Sequence, residues 1–168
     1  MNNTDIQIAE QDKNVLNTFK KFLGLEHFGW KFGAVMLLIC SIIMPIIGII
    51  MLTAGAAVQN ASQPTYTGGV PGYPFVLMGV MYLVLTAVEL IPCTVVSFIM
   101  LKKNEYYQST IDTDISIARK RATSVGMIVF CFIFNTLAAV FYLINFIKTK
   151  SNAAAFDRLE ASQKGGTI

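Results

Sequence analysis

Apolar positions along the chain gather into three long runs. Phe32 to Val58 is 27 residues without a charge, Phe75 to Leu101 is 27 residues with a single charged one, Glu89, and Val125 to Ile147 is 23 uncharged residues. About 20 such residues let a helix cross the hydrocarbon of a bilayer. The pattern therefore predicts three transmembrane helices, over 32–58, 75–101 and 125–147. At about 1.5 Å per residue the first two reach roughly 40 Å, so they should tilt or extend into the headgroups. Ala54-Gly55-Ala56 resembles a cleavage site, but the apolar stretch before it exceeds the about 7–15 residues of a signal-peptide core, so the first run reads as a retained anchor.

The segments between the runs carry shorter helical patterns. Val15, Leu16, Phe19, Phe22 and Leu23 recur on one helical face, with Lys13, Lys20 and Lys21 off it. This predicts an amphipathic helix lying on the membrane surface, with Trp30 and Lys31 marking the boundary of the first span. Packing of the stripe on a partner protein is the competing reading. Between the second and third runs, Ile111, Ile115, Ala118 and Ala122 share a face, Asp112 or Asp114 suits the first turn, and Arg119, Lys120 and Arg121 follow. A cytoplasmic helix is expected there, its basic triplet a topology determinant that could also attract anionic lipid. The segment 59–74 holds three prolines and three glycines and should be turn-rich. The tail offers one short helix, Ala153 to Ala161. Three regions result: an N-terminal segment over 1–31, a membrane domain over 32–147 and a polar tail over 148–168.

Composition agrees with a membrane chain. Of its 168 residues 54% are hydrophobic and 14% charged, and mean hydropathy is +0.57. Soluble domains carry about 25% charge. Thirteen Lys+Arg against ten Asp+Glu leave +3, without the concentrated basic face that nucleic acid requires. Lys and Arg also set orientation. Lys13, Lys20, Lys21 and Lys31 precede the first run, the next segment has none, and Lys102, Lys103, Arg119, Lys120 and Arg121 follow the second. The N-terminus is thus expected in the cytoplasm. Three crossings would then put the C-terminal tail outside, although it carries Lys148, Lys150, Arg158 and Lys164. That conflict would vanish if one run were re-entrant.

Small residues recur every seven positions: Ser41, Gly48 and Gly55 in the first run, Gly79, Thr86 and Cys93 in the second, and Ser124, Cys131, Ala138 and Asn145 across the third and its entry. Membrane helices approach closely where residues are small. A three-layer packing seam is expected, with Gly48, Thr86 and Ala138 at one depth. Glu89 lies on the seam face near mid-span, where a carboxylate costs about 2.5 kcal/mol or more unless it is partnered. Asn135 is the expected partner, in a structural hydrogen bond, with Ser41 and Thr136 next; a proton or cation site at Glu89 is the second reading. Pro45 and Pro92 should shape their helices.

Enzyme chemistry has no foothold. One histidine, His27, cannot supply a zinc set, and Cys40, Cys93 and Cys131 lack metal spacing. No phosphate-binding glycine loop or catalytic triad occurs. No cofactor is expected.

The stretch YLVLTAVELIPCTVVSFIMLKKNEYYQSTIDTDISIARKRATSVGMIVF, Tyr82 to Phe130, resembles a family of small bacterial membrane proteins of unknown function. The likeness lies in Pro92 late in a span, a polar helix after it, and a basic stretch with Gly126 opening the last span. Glu89 departs from the apolar or aromatic residue of that pattern. The resemblance implies a bacterial inner-membrane protein and no particular activity.

The sequence thus predicts an all-α integral membrane protein without enzymatic function. Its partners would be the bilayer and other membrane proteins or further copies of itself. The leading expectation is a scaffold or partner subunit of a membrane assembly. The others are an oligomeric channel or transporter subunit using Glu89, and a membrane immunity protein.

Overall fold

A computed structural model of the chain describes residues 3–61 and 72–165. Every described element is helical: α1 (Asn3–Ala61), α2 (Tyr73–Leu85), a π-helical turn (Thr86–Leu90), α3 (Ile91–Thr110), α4 (Ile115–Ala122), α5 (Val125–Phe134), α6 (Thr136–Ser151) and α7 (Ala153–Gly165). Most of the turn-rich segment expected over 59–74 lies outside the described residues.

Two stretches, Gln7–Ala61 and Tyr73–Thr110, are long and apolar enough to cross a membrane. Their most apolar windows are only 6% and 22% buried, whereas the core helix of a soluble protein would be mostly covered. A third stretch of that length is not found among the described residues. The third run, 125–147, is broken at Asn135, whose φ of −160° and ψ of 93° are extended. The broken run is α5 followed by α6, and the two pack side by side. Tyr142 on α6 reaches back to donate its hydroxyl to the carbonyl of Ser124, just before α5, at 3.0 Å. The run is a helical hairpin. Hydropathy reports how apolar a segment is, not whether it reverses.

The chain divides into two compact units, Met1–Gly33 with Ser97–Ile168, and Ala34–Val96. The first unit has a core of Phe19, Leu23, Ile111, Ile115, Ala118, Ala122 and Phe156, with Val15 and Leu16 packed against it. The N-terminal stripe therefore buries itself against α4 and α7 and is not an independent interfacial helix. Asp114 caps α4 by accepting from the amide of Ser116 at 3.0 Å. Arg119 bonds to Asp157 at 2.8 Å and Glu160 at 2.9 Å, which fastens α7. Arg158 on α7 donates to Asp12 at 2.8 Å, and Phe156 packs edge-on to Phe19 with ring centroids 5.1 Å apart. The tail and the N-terminal segment thus belong to one compact unit.

In the second unit the later part of α1 packs on α2. Gly48 and Gly79 bring the two backbones together: a Cβ on Gly79 would lie 2.7 Å from the carbonyl oxygen of Gly48. Gly72, at φ +90°, opens α2, and its carbonyl accepts from the amides of Phe75 and Val76 at 3.1 Å each. The π-helical turn has a local cause. Pro92 has no N–H and its ring crowds the carbonyl four residues earlier. The turn before it widens, and the amide of Ile91 bonds to the carbonyl of Thr86.

Candidate functional site

Two polar clusters stand out, one in each unit. In the second unit the π-helical turn carries Glu89, and Glu89 is exposed. Around it Met81, Val84, Val88 and Ile91 are exposed as well, Val88 by 72%. A shallow apolar hollow lined by Met78, Met81, Tyr82, Leu85 and Val88 ends at this carboxylate. The widened turn re-aims side chains relative to a regular helix, as π-turns at functional positions commonly do. On the opposite side Thr86 is buried and returns its hydroxyl to the carbonyl of Tyr82 at 2.8 Å. The carboxylate is thus the one charged group on a face otherwise suited to lipid or to another apolar helix.

In the first unit Glu26 and Arg121 form a buried ion pair. Glu26 is 0% exposed and Arg121 7%. Arg121 Nη1 donates to Glu26 Oε2 at 3.0 Å, Nη2 donates to Oε1, and Trp30 Nε1 donates to Oε1 at 3.2 Å. The guanidinium also sits over the rings of Tyr107 at 4.8 Å and Tyr142 at 5.5 Å. Burial works against its charge, yet Glu26 outweighs burial and holds its pKa above the ordinary value. Trp30 is fully buried in this cluster, packed on Phe130, and does not mark a lipid boundary. Residues 95 apart in the chain meet here, so no spacing pattern could reveal the pair. Within the basic triplet, Arg119 and Arg121 are used for helix docking, and Lys120 alone is exposed.

The expected seam divides between the units. Ser41 meets Thr94 hydroxyl to hydroxyl at 3.1 Å, one residue from its expected partner Cys93. Gly48 abuts Gly79 and Leu83, and Gly55 abuts Val76 and Gly72, so both pair with residues earlier in the second run than Thr86 and Gly79. A heptad count assumes regular helix throughout, and the π-turn interrupts that regularity. Cys131 and Ala138 belong to the first unit and are 0% exposed. Ala138 is brought against Gly29, where a Cβ would lie 3.0 Å from its Cα.

Asn135 is a hinge residue, and its side-chain amide bonds within the first unit. Its Oδ1 accepts from the amide of Ala138 at 3.0 Å and caps α6, while its Nδ2 donates to the carbonyl of Gly29 at 2.9 Å. A Cβ on Gly33 would fall 2.1 Å from that Nδ2. Asparagine suits the place because its amide supplies both a cap acceptor and a donor.

No group of three or more metal-ligating side chains occurs among the described residues. No family model, curated protein or solved structure matches the chain. The likeness over Tyr82 to Phe130 accordingly rests on its own residues.

Proposed function

We propose that this protein is a membrane-embedded, non-enzymatic subunit of a larger assembly, joined to its neighbours through the face that carries Glu89. The observation behind the reading is the exposure of that carboxylate near the middle of an apolar run. In lipid such a group costs about 2.5–3.5 kcal/mol on insertion scales. A second helix offering a donor, from another copy or another protein, removes the cost.

The topology that goes with this reading has two crossings and a hairpin that turns back. All thirteen Lys and Arg residues belong to the first unit, and the second has none. Placing the first unit on the cytoplasmic side satisfies the positive-inside tendency with no exception, and the tail is then cytoplasmic. The segment joining α1 to α2 is outside, and a bacterial inner membrane is the natural setting.

The test is extraction into mild detergent followed by native mass spectrometry. Glu89→Leu should abolish the assembly while leaving a folded, inserted monomer, and Glu89→Gln, which keeps hydrogen bonding, should retain most of it. An assembly unchanged by Glu89→Leu overturns the proposal. The π-turn favours one further reading, an oligomeric channel or transporter subunit in which Glu89 holds a cation or proton. Loss of flux in proteoliposomes of an intact Glu89→Gln assembly would establish it.

A further inference from the structure

The first unit contains a second polar feature that neither the ion pair nor the hinge uses. Between α1 and α6 lies a cavity of about 180 Å³. Gln11, Asn14 and Thr18 line it from α1, and Asn145, Thr149 and Asn152 from the α6 side, with Phe19 and Phe156 as an aromatic end. Asn145 is 1% exposed and Thr149 2%. Asn145 Nδ2 and Oδ1 and Thr149 Oγ1 have no hydrogen-bond partner within the protein. A buried polar group left in that state costs about 1–3 kcal/mol. A core helix could carry Leu and Val at these two positions without that cost, so the two side chains call for a polar occupant.

The chemistry of the wall defines the occupant. Side-chain amides and hydroxyls both donate and accept. No carboxylate lines the cavity, which disfavours a metal ion or an organic cation. One ammonium, Lys148, stands among the lining residues; it is exposed and lies 5.7 Å from the Phe22 ring. A single exposed cation does not make an anion site, but it tolerates a phosphate on the ligand. The volume corresponds to about six waters at roughly 30 Å³ each, so the occupant is small. We propose that this cavity binds a small polyol group: Asn145 grips a hydroxyl as both donor and acceptor, Thr149 takes a second, and Asn14 and Thr18 close over it. A free solute and the head of a glycerol-bearing lipid share this polyol chemistry.

Saturation-transfer NMR on the full-length protein, with glycerol, myo-inositol and sn-glycerol 3-phosphate as probes, tests the assignment. At least one probe should bind saturably, and Thr149→Val, which removes one hydrogen bond at nearly constant shape, should weaken it about tenfold. Asn145→Leu should abolish binding. Parallel titrations in phosphatidylglycerol and phosphatidylcholine nanodiscs separate the sources: weaker binding in the first identifies the lipid head, and equal binding the free solute. Absence of saturable binding by all three probes overturns the proposal, since it leaves the cavity a hydrated packing defect. So does equal binding by Thr149→Val and Asn145→Leu proteins whose melting matches the parent.

Discussion

Single residues at three places carry testable consequences. Asn135 ends α5, caps α6 and bonds to Gly29. Asn135→Ala removes the cap and the side-chain bond to the Gly29 carbonyl, and should cost about 1–3 kcal/mol, read as a drop in thermal stability in detergent. Glu26 and Arg121 make a different kind of statement. Removing one partner strands a buried charge, so Glu26→Leu should cost about 3–5 kcal/mol, whereas Glu26→Leu with Arg121→Met should recover much of it. Additive losses in that double-mutant cycle would contradict the description of the pair as a closed unit. Asp114 has its carboxyl pKa lowered below 3.8 by the Ser116 hydroxyl. Its cap is fully present above 3.8 and is lost as pH falls through the lower folded value, and Asp114→Asn should remove that acid-dependent part of the melting curve. Little of this was legible in advance. Asp114 was in part: the sequence offered Asp112 or Asp114 for the first turn, and Asp114 is the residue before it, the cap. Glu26 and Arg121 were not, because their meeting depends on how α4 docks on α1.

At the scale of elements, apolarity was readable and direction was not. The first two runs are long helices interrupted only by a proline each: α1 continues through Pro45, and the chain accommodates Pro92 by widening one turn. The stripe of Val15, Leu16, Phe19 and Leu23 was visible as an apolar face, and so was the face of Ile111, Ile115, Ala118 and Ala122. That these two faces cover each other was not, since each could as well have covered lipid. The third run offered one warning, a polar pair Asn135-Thr136 in its middle. An extended residue there reverses the chain, and the resulting hairpin leaves Val125, Val129, Phe132 and Ile133 exposed. Close approach of α1 and α2 depends on glycine at both sides. Gly79→Leu would push a branched chain into the Gly48 carbonyl and the Leu52 side chain. It should separate the two helices, measured as loss of a disulfide engineered between Ser41→Cys and Thr94→Cys. Retained cross-linking in the Gly79→Leu protein would show that this pairing does not need the glycines.

For the whole molecule, the distribution of charge and the hairpin address the same problem. A count of three crossings separated the tail from the N-terminal segment and left four basic residues on the wrong side. In the proposed topology the hairpin removes one crossing, and Arg158, bonded to Asp12, keeps the tail with the N-terminal segment. The decisive measurement is therefore sidedness. In a protein freed of Cys40, Cys93 and Cys131, Ser109→Cys and Ser162→Cys should react with a membrane-impermeant maleimide from the same side, the cytoplasmic one, in inverted and right-side-out vesicles. Reaction of Ser162→Cys from the face opposite Ser109→Cys would restore the third crossing and contradict the account.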